Sequence, residues 1–74
     1  MTLREADEAA QKGLPIIHRV PGQEAIEYSR ITETGYRYND KHERHGFVQL
    51  LDKRGHSVTY ADPGYCVLKE GGTP

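Results

Sequence analysis

The chain has one cysteine, one phenylalanine and no tryptophan among its 74 residues. With Cys66 as its single thiol, it forms no internal disulfide and builds no cysteine-rich zinc site. Long apolar runs are missing too. Nothing approaches the roughly 20 apolar residues that a membrane-crossing helix needs. The opening stretch MTLREADEAAQKG has no basic segment followed by an apolar one, so it does not read as a secretory signal. Together these absences set the expectation of a cytoplasmic protein with a reduced thiol.

An excess of one charge is also lacking. Ten Lys and Arg face eleven Asp and Glu, for a formal net charge of −1. Dedicated nucleic-acid binders carry a clear basic excess, so this balance leaves room only for a local patch. Catalytic patterns are equally scarce. No Ser-His-Asp, Cys-His, paired-carboxylate or phosphate-loop arrangement has coherent spacing. Gly71-Gly72 is no phosphate cradle, because no strand-to-helix transition surrounds it. Cys66 stands beside Val67 and Leu68 and reads as a small buried apolar residue, with neither a helix N-terminus nor a fixed His to activate it. A domain this short also lacks the interior for a ligand pocket of the usual size. The expectation is a protein that is not an enzyme and carries no cofactor.

What is present begins with a short helix. Thr2 and Glu5 form a T-x-x-E capping box, acids crowd the first turns, and Lys12-Gly13 supplies the stop. Leu3, Ala6, Ala9 and Ala10 make a weak apolar stripe, so a helix this short must dock on something to persist. After Gly13 the pattern turns to short β-branched runs. LPIIHRV is followed by a Pro21-Gly22 turn, and AIEYSRITET reads as a strand. Within that strand Ile26 and Tyr28 share a face that Ile31 does not, which calls for a bulge or bend near Ser29-Arg30. Gly35 allows a kink before YRYND. A loop KHERHG leads to FVQLL, a tight DKRG turn and the return strand HSVTYA. DPGY reads as a single turn, CVLK as a last strand and EGGTP as a disordered tail.

The expected architecture is mostly β: a five-stranded barrel at residues 14–69, a capping helix at 1–13 and a disordered tail at 70–74. Its expected core is Ile16 or Ile17 with Ile26, Ile31, Val48, Leu50, Val58, Val67 and Leu68. The succession FVQLLDKRGHSVTYA, DPGY, CVLK resembles the second half of an SH3-like barrel, in which a distal hairpin, a 3₁₀ turn and a closing strand follow one another. The resemblance spans about Phe47 to Lys69 and implies the barrel. It does not imply polyproline binding. Peptide-binding SH3 domains separate Pro and Tyr by two residues where this chain has Pro63-Gly64-Tyr65. Their strand-start tryptophan finds only Phe47 here, and PIIHRV lacks the aromatic-acidic first-strand motif. The whole chain also resembles small proteins of unassigned role carried on conjugative transposons of Gram-positive gut bacteria, a likeness that implies no activity.

Three sites compete for attention. Asp40, His42 and His45, with His56 beyond the next strand, offer zinc-type ligands. Their spacing converges on a helix but not in a loop, and Lys41, Glu43 and Arg44 mark the segment as solvated, so it reads as a mobile charged loop and not a metal site. Tyr28, Arg30, Tyr36, Arg37, Tyr38, Lys41, Arg44 and Phe47 interleave rings and cations, the mixture that stacks bases and neutralises phosphates. Acids scattered through the same region dilute the field. Half-exposed tyrosines on a near-neutral surface suit a protein partner better. The expected function is therefore a non-enzymatic module that docks on a protein. Its expected binding surface is Tyr36, Arg37, Tyr38, Arg44, Phe47 and Tyr65, and nucleic-acid binding around Tyr36 to Phe47 is the alternative.

Overall fold

A computed structural model describes residues 1–69. The segment 70–74, expected to be a disordered tail, lies outside the described residues. Helix α1 spans Leu3–Lys12, as its end signals require. The Thr2 hydroxyl accepts the Glu5 N–H at 3.1 Å, and the Glu5 carboxylate accepts the Thr2 N–H at 2.8 Å. These reciprocal bonds satisfy two amides that the first turn leaves unpaired. At the other end Gly13 takes φ 65°, and the Gly13 and Leu14 N–H groups close back on the carbonyls of Ala10 and Ala9 in a Schellman motif.

The strands are β1 (Ile16–His18), β2 (Ile26–Tyr28), β3 (Arg30–Tyr38), β4 (Arg44–Leu51), β5 (Val58–Ala61) and β6 (Cys66–Leu68). They form two three-stranded antiparallel sheets, β2-β1-β6 and β3-β4-β5. The long AIEYSRITET run is divided between both. It breaks at Ser29, whose N–H leaves the first sheet and donates to the Leu51 carbonyl of the second at 2.8 Å. The bend expected there is present, and a second irregularity at Thr32 separates the Ile31 and Glu33 pairs. That break makes six strands where five were expected. A 3₁₀ turn at Pro63–Tyr65 carries the chain from β5 to β6 without pairing them, so the ladders do not close into a ring. Across the described residues the architecture is two open sheets and one α-helix.

The core is thin. Ala6, Ala9, Ile16, Ile31, Val48, Leu50 and Cys66 are buried, with Met1, Leu3, Ala10, Leu14, Tyr28 and Ala61 packed around them. The helix lies along β3 and contributes Ala6 and Ala9. Leu3 covers Gly46 and Asp7 reaches Thr34. Four expected core residues are instead surface. Ile26, Val58, Val67 and Leu68 are 50%, 46%, 42% and 46% exposed. The register explains each. Val67 pairs with Ile17 and Val58 with Leu51, on the outward faces of their sheets. Ile26 and Leu68 sit on the inward face but at the ends of three-residue strands, past the rim of the core.

Turns follow their residues closely. Gly22 and Gly55 take φ 82° and 71°, where an L side chain is strained. At the β4–β5 turn the Asp52 carboxylate accepts the His56 N–H at 2.8 Å and the Ser57 hydroxyl at 3.0 Å. The backbone bond from His56, then the Ser57 hydroxyl, hold the Asp52 carboxyl below its usual range. Glu27 on β2 accepts Lys69 at 2.9 Å and lies 3.6 Å from Lys53, and the Lys69 bond lowers its pKa.

Candidate functional site

The KHERHG stretch is a compact turn. Arg44, His45 and Gly46 belong to β4, which begins three residues earlier than FVQLL predicts. Tyr38 pairs with Arg44, leaving Asn39 to Glu43 to reverse the chain. Asn39 organises the turn. Its side-chain oxygen accepts the Lys41 and Glu43 N–H groups at 2.9 and 3.0 Å, and its amide nitrogen donates to the Glu43 carboxylate at 2.9 Å. That nitrogen also lies 3.2 Å from His45 Nε2. His42 takes φ 61°, the left-handed position that closes a three-residue hairpin loop and that Gly normally fills. A sequence reading of a loose charged loop misses this, because the Asn39 side chain satisfies the backbone locally. Among the described residues, no three His, Cys, Asp or Glu side chains gather where they could hold a metal ion.

β3 and β4 divide the expected binding residues between two faces. Arg37 and Phe47 point outward, away from the helix. The Arg37 guanidinium lies 4.2 Å from the Tyr60 ring centre and 5.2 Å from that of Phe47. Phe47 and Tyr60 meet edge to face at 5.5 Å. Gly35 makes room for this cluster. It pairs with Phe47, and a Cβ on it would stand 2.9 Å from the ring. Gln49, opposite Tyr60, and His45, opposite Arg37, add polar groups to the same face.

Tyr36, Tyr38 and Arg44 are on the other face, the one that bears Val48 and Leu50, but toward the end where Leu3 marks the start of the helix. Arg44 lies 4.4 Å over the Tyr36 ring. Tyr36 and Tyr38 are 54% and 67% exposed, so neither is core. Tyr65 stands apart on the 3₁₀ turn and is exposed. No ring contact or side-chain hydrogen bond joins it to the other five among the described residues.

Sequence reasoning missed Tyr60, although a signal for it existed. Counting back from the Asp52–Ser57 turn pairs Gln49 with Tyr60, which puts Tyr60 diagonal to Phe47, within reach of an aromatic ring. Cys66 behaves as its neighbours suggest. It is fully buried, its thiol lies 3.6 Å from the Asp62 carbonyl, and burial raises its pKa to about 11. No described helix is long and apolar enough to cross a membrane. No family model, curated protein or solved structure matches the chain.

Proposed function

We propose that the protein is a non-enzymatic docking module with SH3-like half-barrel connectivity, and that the outer face of β3-β4-β5 receives a protein partner. One bent run supports this connectivity. β2 and β3 pass from a β6-β1-β2 sheet into a β3-β4-β5 sheet, and a 3₁₀ turn then returns the chain to β6 beside β1. The observation that carries the function is the Arg37–Tyr60–Phe47 cluster. Arg and aromatic residues dominate the energetics of protein interfaces. Here they are already stacked, so docking fixes few new rotamers. A polar border of Gln49 and His45 fits the rim of such a contact.

A second reading concerns the opposite face. Tyr36, Tyr38 and Arg44 are an exposed aromatic and basic group, as single-stranded nucleic acid requires. The protein reading is favoured because the cations are dispersed. Arg37 and Arg44 are on opposite faces, and Lys53 and Lys69 both lie against Glu27. An amide NMR titration with mixed-sequence single-stranded DNA, at low then moderate salt, separates the two. The docking reading predicts a silent spectrum. Shifts at Tyr36, Tyr38 and Arg44 that fade with salt, through counterion release, would establish nucleic-acid binding in its place.

A further inference from the structure

Each sheet has two edge strands, and three of the four are guarded. β6 is three residues long, and the Met1 ammonium donates to its Cys66 carbonyl at 2.9 Å. β2 is equally short and carries Glu27. β3 carries Arg30, Glu33 and Arg37, is interrupted at Thr32 and has α1 packed on it. These are the usual protections against pairing with another chain. β5 has none of them. Val58-Thr59-Tyr60-Ala61 contains no charge, proline or bulge, and Val58 and Tyr60 are about half exposed at 46% and 49%.

The outward hydrogen-bonding groups of β5 follow from the ladder. The Leu51 carbonyl accepts from Ser29, so the peptide groups of Leu51 face β3. Val58, opposite Leu51, therefore turns its N–H and C=O away from β4, and Tyr60 does the same two residues on. Those groups have no backbone partner among the described residues.

We propose that β5 pairs antiparallel with β5 of a second copy of this chain, about a two-fold axis at Thr59. An axis perpendicular to the sheet keeps each face on its own side, so residues of equal parity meet. Val58 then opposes Tyr60 of the second copy, a β-branched–aromatic pair. The two residues exchange both backbone hydrogen bonds, and symmetry repeats the exchange. Charge selects the direction. Arg54 and His56 precede β5, and Asp62 follows it. Antiparallel pairing sets His56 against Asp62 of the second copy, whereas parallel pairing sets basic against basic. Asp62 Oδ1 holds the Gly64 N–H at 2.8 Å and leaves Oδ2 for this contact. The paired sheets join the two Arg37–Tyr60–Phe47 clusters on one face. A four-residue strand buries less than the roughly 1,000 Å² of a stable interface, so association is weak and reversible.

This inference stands independently of the docking function and is tested on the pure protein. Sedimentation equilibrium from about 20 μM to about 1 mM should give a monomer–dimer isotherm. Amide shifts that move with concentration should cluster at His56 to Asp62. Val58→Lys should weaken association by at least about tenfold, while Leu68→Lys, an equally exposed site on β6, leaves it unchanged. Val58→Pro removes an outward donor without touching the β4–β5 ladder and should also abolish pairing. A monomer at every concentration would overturn the proposal, as would association unaffected by Val58→Lys or concentration-dependent shifts centred on β6. The wild-type shift map decides the matter even if both Val58 variants unfold.

Discussion

Gly35 lies directly across β3–β4 from Phe47, and the ring fills the space a side chain would take, with 2.9 Å from a Cβ to the ring edge. At Gly46, one pair along, a Cβ would meet the Leu3 methyl groups at 3.6 Å and the Gly35 carbonyl at 3.9 Å, ordinary contact distances. Gly35→Ala must therefore push the Phe47 ring off the sheet and loosen the Arg37–Tyr60 stack. A loss of about 1 kcal/mol is expected despite the better strand propensity of Ala. Gly46→Ala should be neutral or stabilising by about 0.5 kcal/mol. Urea denaturation of both variants checks the contrast.

His42 holds a left-handed backbone at φ 61° without being glycine. That conformation costs an L residue about 1 kcal/mol. His42→Gly relieves the strain but increases unfolded-state freedom, so the net gain is expected at about 0.5 kcal/mol, with no change in the ladder beyond it. His42→Val, β-branched at the same φ, should destabilise. Thermal melts of the two variants should move in opposite directions.

The helix, the glycine turns and the bend were legible because their causes are local, whereas the Asn39–Glu43 turn, closed by His42 in place of glycine, was not. Thr2 and Glu5 stand three apart whatever the rest of the chain does, and Gly13, Gly22 and Gly55 mark the positive-φ positions directly. Burial was less legible. Alternation fixes which residues share a face but not which face turns inward, so Val58 and Val67 read as core until the register placed them outside. The site was half legible. Phe47 and Arg37 stood out as an aromatic and a cation, whereas Tyr60 joins them only through pairing across the β4–β5 turn.

Asp52, Glu27 and Glu5 all have carboxyls held below their usual range. The chief causes are the His56 N–H, Lys69 and the Thr2 N–H, respectively. A depressed carboxyl stabilises the fold above its unfolded pKa, and that contribution disappears as pH falls through the folded value. The melting temperature should therefore fall below about pH 4, the ordinary carboxylate range. Asp52→Asn should melt lower at neutral pH and show a shallower decline in acid. A parallel decline in wild type and variant would show that Asp52 contributes nothing to the acid transition.

Cys66 is buried, and its thiol is raised to about 11, so almost none is thiolate near neutrality. Alkylation by iodoacetamide at pH 8 should be far slower than for a free thiol and should become fast in denaturant. Cys66→Ser places a hydroxyl in the same site and should cost about 2 kcal/mol. Cys66→Ala should cost less.

Docking on the outer face of β3-β4-β5 is the function proposed for this protein. The most direct measurement is capture from extracts of the source cell with wild type, Arg37→Ala/Tyr60→Ala and Tyr36→Ala/Tyr38→Ala. Circular dichroism would first establish that all three are folded. Tyr36 and Tyr38 are more than half exposed, so their removal should leave the fold intact. A protein should be retained by wild type and by the Tyr36/Tyr38 variant but lost with Arg37 and Tyr60. Equal capture by wild type and the folded Arg37/Tyr60 variant would contradict it.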